Sequence, residues 1–230
     1  MHINKTLLTA TATLSIAALA ACGKSNAEEN KKPSQNKRVA SASTPAKAPT
    51  ETAVKPSSLA EAGGDYEIDS IHSQVIFRLK HFGVSYQYGR FNKVSGSLTI
   101  DGADPKNSRA SVEIAAASVF TADMKRDKHL KGPDFFDVKQ FPSITFTSTK
   151  VAPAGQGSYQ VTGDLAMRGV TRTVTLELDH IGSGKDPYGG YRSGFEGTFS
   201  IKRSDFGMNF MLQGIGDEVR LTVAIEAVRK

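Results

Sequence analysis

The chain has 230 residues, one cysteine, no tryptophan and a formal net charge of +6. A lone thiol excludes an intramolecular disulfide and a structural zinc site built on several thiolates. Residues 65–230 carry 21 basic against 19 acidic side chains, so most of the excess charge lies upstream. They hold no basic cluster interleaved with aromatics, which argues against a nucleic-acid partner.

At the front, Lys5 precedes roughly sixteen apolar or small residues, Thr6 to Ala21. This run is too short and too rich in Thr and Ala for a membrane span, which needs about 20 strongly apolar residues. Residues 1–21 are therefore expected to be a signal peptide. The ending Leu19-Ala20-Ala21-Cys22 resembles the lipobox of bacterial lipoproteins. That resemblance implies diacylation of the Cys22 thiol, cleavage before it and acylation of the new amino terminus, enough acyl chains for stable anchoring. Gly23 follows, with no Asp in its place, which by analogy with enteric bacteria favours the outer membrane. Residues 22–64 are expected to be a lipidated, disordered tether. Positions 23–64 contain no aromatic residue and four Pro, so they cannot bury enough apolar surface to offset ordering. As a coil they would span roughly 35 Å.

From Asp65 onward, short alternating runs separated by turn residues indicate antiparallel strands. Val75, Phe77 and Leu79 alternate with Ile76, Arg78 and Lys80. Val94, Gly96, Leu98 and Ile100 follow, then Val112, Ile114 and Ala116, then Ile144 and Phe146 among threonines. Tyr159, Val161, Gly163, Leu165 and Met167 precede Val170, Val174, Leu176 and Leu178. The last two runs are Phe195, Gly197, Phe199, Ile201 and Val219, Leu221, Val223, Ile225. Thr121–Lys131 breaks the pattern and predicts a short helix, with Thr121 as N-cap, Lys128, His129 and Lys131 in its last turn, and Gly132-Pro133 as stop.

Eight antiparallel runs with one apolar face each hide that face by closing into a barrel. The predicted fold class is all-β, an eight-stranded antiparallel barrel with one helix between strands. Such a barrel is wide enough to be filled by side chains or to hold one slim ligand. Gly96, Ala116, Gly163 and Gly197 on the apolar face would leave room inside unless Phe and Leu neighbours fill it. A membrane-spanning barrel would turn its apolar set outward, and the absence of tryptophan, with little sign of aromatic girdles, weighs against it.

Several stretches carry a family resemblance. They are Tyr66-Glu67-Ile68-Asp69 with His72-Ser73, Lys80-His81-Phe82-Gly83, Gly89-Arg90-Phe91, Arg126-Asp127-Lys128-His129-Leu130, Phe136-Asp137-Val138-Lys139-Gln140-Phe141-Pro142, Gly169-Val170-Thr171 and Arg203-Ser204-Asp205-Phe206-Gly207-Met208. In this order they resemble the YceI-like family of exported bacterial lipid-binding proteins over residues 65–230. The resemblance implies a lipocalin-like barrel whose pore holds a long isoprenoid or related amphipathic chain, such as an isoprenoid quinone or polyprenyl chain, with no other cofactor. The expected pore lining is Val75, Phe77, Leu79, Leu98, Ile100, Val112, Ile114, Ile144, Phe146, Val161, Leu165, Val174, Leu176, Phe195, Phe199, Leu221 and Val223. The lipobox and tether depart from the plain cleavable signal of many relatives.

Catalytic signatures are absent: no Gly-x-Ser-x-Gly elbow, phosphate loop or dinucleotide fingerprint occurs. His72, His81, His129 and His180 form no closely spaced metal pair, so neither a catalytic nor a metal site is expected. Asp127 and His129, two apart on a helix, point in different directions. His72, Arg90, Arg126, Asp127 and His129 are candidates for a rim that touches a ligand head group. Arg126, Asp127 and His129 would alternatively tie the helix to the barrel. Carriage or storage of a lipid in the cell envelope is the function these features favour. Its alternatives are an enzyme modifying such a lipid and an envelope interaction module.

Overall fold

The computed structural model describes residues 59–230. The expected signal peptide, Cys22 and most of the expected tether lie outside the described residues.

Eleven strands and one helix follow in chain order: β1 (Gly64–Ile68), β2 (Gln74–His81), β3 (Ser85–Phe91), β4 (Val94–Ile100), β5 (Arg109–Ala115), β6 (Val119–Phe120), α1 (Met124–Leu130), β7 (Ser143–Gly155), β8 (Ser158–Met167), β9 (Val170–Lys185), β10 (Tyr191–Lys202) and β11 (Ile215–Arg229). Eight of them, β1, β4, β5, β7, β8, β9, β10 and β11, pair antiparallel and close through β1 on β11. The barrel is therefore closed, with no edge left in the ring.

The first alternating run, Val75–Leu79, is β2, which lies outside this ring; β1 takes the ring position. Both strands use β11 in sequence. Its last residues, Ala227 to Arg229, pair with β1, and Ile215 to Ala224 pair with β2. A turn at residues 69–73 thus divides one wall into two strands. Beyond β2 the sheet continues to β3 and β6, so one end of the barrel carries an extra flap.

The folded domain begins earlier than the composition implies. Leu59–Ala62 form a 3₁₀ turn with Leu59 and Ala62 buried, and the Tyr66 hydroxyl donates to the Ala62 carbonyl at 2.6 Å. Together with Ile100 and Ala227 they plug one end of the barrel. Two apolar side chains in an otherwise polar segment suffice for this, because each removes its area from water against a preformed rim.

The helix is shorter than predicted, and its N-cap is Asp123, whose carboxylate accepts from Arg126 N at 2.8 Å. Thr121 is buried instead and serves as a tie. Its backbone N and its hydroxyl both donate to Asp127 Oδ1 (2.8 and 2.5 Å), while Arg126 Nε donates to Thr121 Oγ1 and Nη2 to its carbonyl, both at 2.8 Å. Asp wins the cap because its carboxylate accepts from the helix amide without giving up a buried hydroxyl.

Candidate functional site

The inner face of the barrel is lined by the alternating apolar residues of β4, β5 and β7–β11, completed by β2. At mid-height Val223 stands between Gly197 of β10 and Val75 of β2, and Leu221 stands between Phe199 and Phe77. These side chains surround a cavity of about 170 Å³. Its one charged lining residue, Arg203, is 2 % exposed and fully engaged. Its guanidinium donates to the carbonyls of Gly216 (3.0 Å), Met208 (2.6 Å), Phe210 (2.8 Å) and Ile215 (2.7 Å). Burial pushes its pKa down and nearby Asp217 pushes it up; arginine starts high enough to stay charged. The charge clamps the β10–β11 connection and presents no polar atom to the cavity. An apolar cavity of this kind excludes water.

Two further spaces continue the same axis. At the plugged end, about 70 Å³ lies among Leu98, Ile100, Ala110, Val161, Leu178 and Phe195, most of which also face the central cavity. At the other end a vestibule of about 390 Å³ shares Phe77, Leu79, Leu130 and Phe135 with the central cavity. Those four side chains form the neck. The rest of the vestibule wall combines apolar Ile215 with Lys80, His81, Gln87, Thr121, Lys125, Arg126 and His129 among others, and no carboxylate lines it.

Of the expected lining, Val75, Phe77, Leu79, Leu98, Val112, Ile114, Ile144, Phe146, Val161, Leu165, Leu176, Phe195, Phe199, Leu221 and Val223 face the central cavity. Ile100 does not: it belongs to the plug and faces the small end space. Val174 lines none of the three spaces and packs half-buried into the core, opposite Gly163. Phe91, Leu130, Phe135, Phe136, Met167, Leu178, Ile201, Met208, Val219 and Ile225 line the cavity in addition to the expected residues. Met167, Leu178, Ile201, Val219 and Ile225 share the alternation of their strands and were legible there. Phe135, Phe136 and Met208 sit on loops, where no periodicity marks an inward residue.

The small residues resolve against extra room at two positions. A Cβ on Gly163 would lie 2.5 Å from Phe146 Cζ, and one on Gly197 would lie 2.7 Å from Leu178 Cδ2. Neighbouring large side chains fill the space that these glycines vacate. The remaining void lies elsewhere in the lumen.

The rim candidates separate. Arg126 and His129 line the vestibule. His129 Nε2 pairs with Asp134 Oδ2 at 2.8 Å, and its ring stands edge-on to Phe135 and Phe210. Asp127 is committed to Thr121 and lines none of the three spaces. Arg90 stacks over Phe120, its guanidinium 5.5 Å from the ring centre, and is also outside the lining. His72 is remote: its Nδ1 lies 2.8 Å from Asp69 Oδ2, beside Arg192 and Glu226. This cluster is at the start of β10 and the end of β11, whereas the vestibule adjoins the opposite ends of those strands.

Asp69, His72 and Glu226 place three potential ligand atoms within 4.8 Å of one another. A guanidinium already fills that centre, because Arg192 Nη1 lies 2.7 Å from Asp69 and 2.5 Å from Glu226. The Asp69 carboxyl is held well below the usual range, chiefly by Arg192 and then by His72. The group reads as an ion-pair latch on the barrel wall, and a cation there would have to displace the arginine.

Comparison with known proteins agrees with this geometry. A family model described as the YceI-like domain matches residues 66–227. A UPF0312 protein of Pseudomonas aeruginosa is 44% identical over 168 residues, covering 72% of this chain and 87% of the relative. A UPF0312 protein of Yersinia pestis is 44% identical over 167 residues, covering 72% and 86%. Among solved structures, Burkholderia cenocepacia BcnA aligns with a TM-score of 0.62 at 29% identity, over 69% of this chain and 98% of that one. The YCEI protein of Campylobacter jejuni aligns at 0.60 and 32% identity, over 66% and 90%. A polyisoprenoid binding domain from Saccharophagus degradans shares the fold, with a TM-score of 0.56 at 15% identity over 72% and 98%. Closed barrel, apolar lumen and matching sequence together place the chain in the YceI-like family.

Proposed function

We propose that this protein binds one long apolar chain in the barrel lumen and carries or stores it in the bacterial cell envelope. The favoured ligand is an isoprenoid, either an isoprenoid quinone or a polyprenyl chain, with its tail in the lumen and its head in the vestibule. The observation that carries this reading is a lumen with no polar group offered to its contents, opening through an apolar neck into a vestibule lined by Lys80, Lys125 and Arg126. Such an arrangement suits an amphipathic ligand, with burial supplying affinity and a few polar groups setting orientation. The polyisoprenoid-binding description of the Saccharophagus degradans domain supports the same ligand class. The chain is read as exported, with acylated Cys22 anchoring it, in the outer membrane by preference, and residues 23–58 letting the barrel reach the lipid surface.

Native mass spectrometry of the full chain, purified without detergent, tests the binding. A mass increment that organic solvent extracts as a prenyl lipid is expected. An unliganded mass in every preparation, with no uptake of a polyprenol from vesicles, would refute it.

A further inference from the structure

We propose that the vestibule end of the barrel is a docking surface for an anionic lipid bilayer, separate from any acyl anchor. Of twelve large hydrophobic side chains that are exposed among the described residues, nine lie on the elements around this opening. Eight of them sit on three projections. Phe82 and Val84 are at the tip of the β2–β3 hairpin (56 and 84 % exposed), Met124 opens α1 (89 %), and Met211 and Leu212 lie on the β10–β11 connection (47 and 39 %). The projections belong to one rim. Phe82 N donates to the Gly214 carbonyl at 2.7 Å, and Phe210 packs against His129 of α1 with ring centres 5.0 Å apart. An apolar cluster of this extent on one end of a protein marks an interaction site.

Charge selects the partner. Lys80 lies just before the hairpin tip, and Lys125 and Arg126 follow Met124, so two of the three apolar tips have cations beside them. From Gln74 to Phe91 the two hairpin strands contain Arg78, Lys80 and Arg90 and no acidic residue. Apolar fingers that reach the acyl boundary, with lysine and arginine at headgroup level, match the interfacial pattern of membrane-bound surfaces. A protein partner would have to seat itself over separate projections around a hole. A bilayer accommodates them and leaves the hole facing the lipid from which an apolar chain would enter.

Amide hydrogen exchange of the full chain carrying Cys22→Ser, which removes acylation as a source of attachment, tests this. The probes are vesicles of phosphatidylethanolamine and phosphatidylglycerol at 3:1 and vesicles of phosphatidylcholine alone. Anionic vesicles are expected to slow exchange at residues 82–88 and 210–212, but not at the β9–β10 turn, residues 186–190, and 0.5 M salt should reverse the effect. The double variant Val84→Asp, Leu212→Asp should weaken this binding at least about tenfold while ligand occupancy by native mass spectrometry stays unchanged, since neither residue lines the lumen. Unchanged exchange at both segments would overturn the proposal. So would equal protection by both vesicle types, or protection that grows with protein concentration in the absence of lipid, which would mean that a second copy covers this face. Loss of ligand occupancy in the unsubstituted chain would strike at lumen binding instead, leaving the docking result to stand by itself.

Discussion

Val223→Glu probes the central claim, that the lumen is dry and offers no polar partner. Val223 faces the cavity between Gly197 and Val75, and the one charged side chain in the lining has its donors taken by four backbone carbonyls. A carboxyl placed there has no cation and no donor, so desolvation raises its pKa from about 4.3 to about 8 or 9. The sign follows from proton linkage. The unfolded chain releases its proton near pH 4.3 and the folded chain holds it to about pH 8 or 9. Stability relative to wild type is therefore highest at acid pH and falls as pH rises through that window. At 1.36 kcal/mol per pKa unit, the charge-dependent cost is about 1 kcal/mol at pH 5 and about 5 kcal/mol at pH 9. Urea denaturation of wild type, Val223→Glu and Val223→Gln at pH 5, 7 and 9 measures this. The gap for the Glu variant should widen by about 4 kcal/mol across the series, and that for the Gln variant should stay flat. Ligand occupancy of the Glu variant should recover at pH 5. A gap for Glu that is independent of pH would mean that water reaches the lumen and ionises the carboxyl at its ordinary pKa, and the dry-pore reading would fall.

Two other outcomes follow from the wall. Arg203→Met strips four carbonyls, one buried and three part-buried, of their donor at once and should destabilise the fold by about 3–5 kcal/mol in denaturant melts. Arg203→Lys should recover only part of this, since an ammonium lacks the planar fork; a neutral result for Met would show that the β10–β11 connection does not depend on the clamp. Asp69 has its pKa depressed by Arg192 and His72, so its contribution is present above pH 4 and is lost as pH falls below the unfolded value. Asp69→Asn should accordingly flatten the decline of thermal stability between pH 5 and pH 2, and an unchanged acid limb would dismiss the latch.

Alternation made the barrel readable because each strand is buried on one face and open on the other, the condition under which period-two patterning survives. Where that condition fails, the signal fails. β3, Ser85–Phe91, exposes Tyr86 and Tyr88 and buries Gly89. A Cβ on Gly89 would lie 2.3 Å from Phe77 Cζ, so the large apolar residue filling that space is on the neighbouring strand, and the pattern of β3 reads inverted. β1 has only Tyr66 and Ile68 to show. Arg203 is the deepest failure of pattern, a charged residue that hydrogen bonding to carbonyls five to thirteen positions away carries into the core. Rim roles leave the weakest trace in sequence. Arg126, Asp127 and His129 lie within one turn of helix, and whether each meets the vestibule or Thr121 depends on how α1 is rolled against β6. Local spacing carries no information about that angle.

A pore lined in this way has a thermodynamic consequence for any ligand it holds. Each methylene taken from water into the lumen is worth about 0.8 kcal/mol, so one five-carbon isoprene unit would contribute about 4 kcal/mol. Taken from a bilayer, the same unit exchanges one apolar medium for another and contributes close to nothing. Affinity measured against water would thus rise steeply with chain length, whereas distribution between vesicle and protein would be nearly indifferent to it. Selection must then occur where the two media differ, at the mouth. There Arg126 has Nε and Nη2 committed to Thr121 and His129 is paired with Asp134, so Lys80 and Lys125 are the cations best able to turn toward a head group. Near-zero transfer from bilayer to barrel also makes loading and unloading reversible, and an exchange of that kind needs the opening held at the lipid surface more than it needs a tight pore. The exposed rim of the β2–β3 hairpin, α1 and the β10–β11 connection supplies that contact on the same end of the barrel as the vestibule.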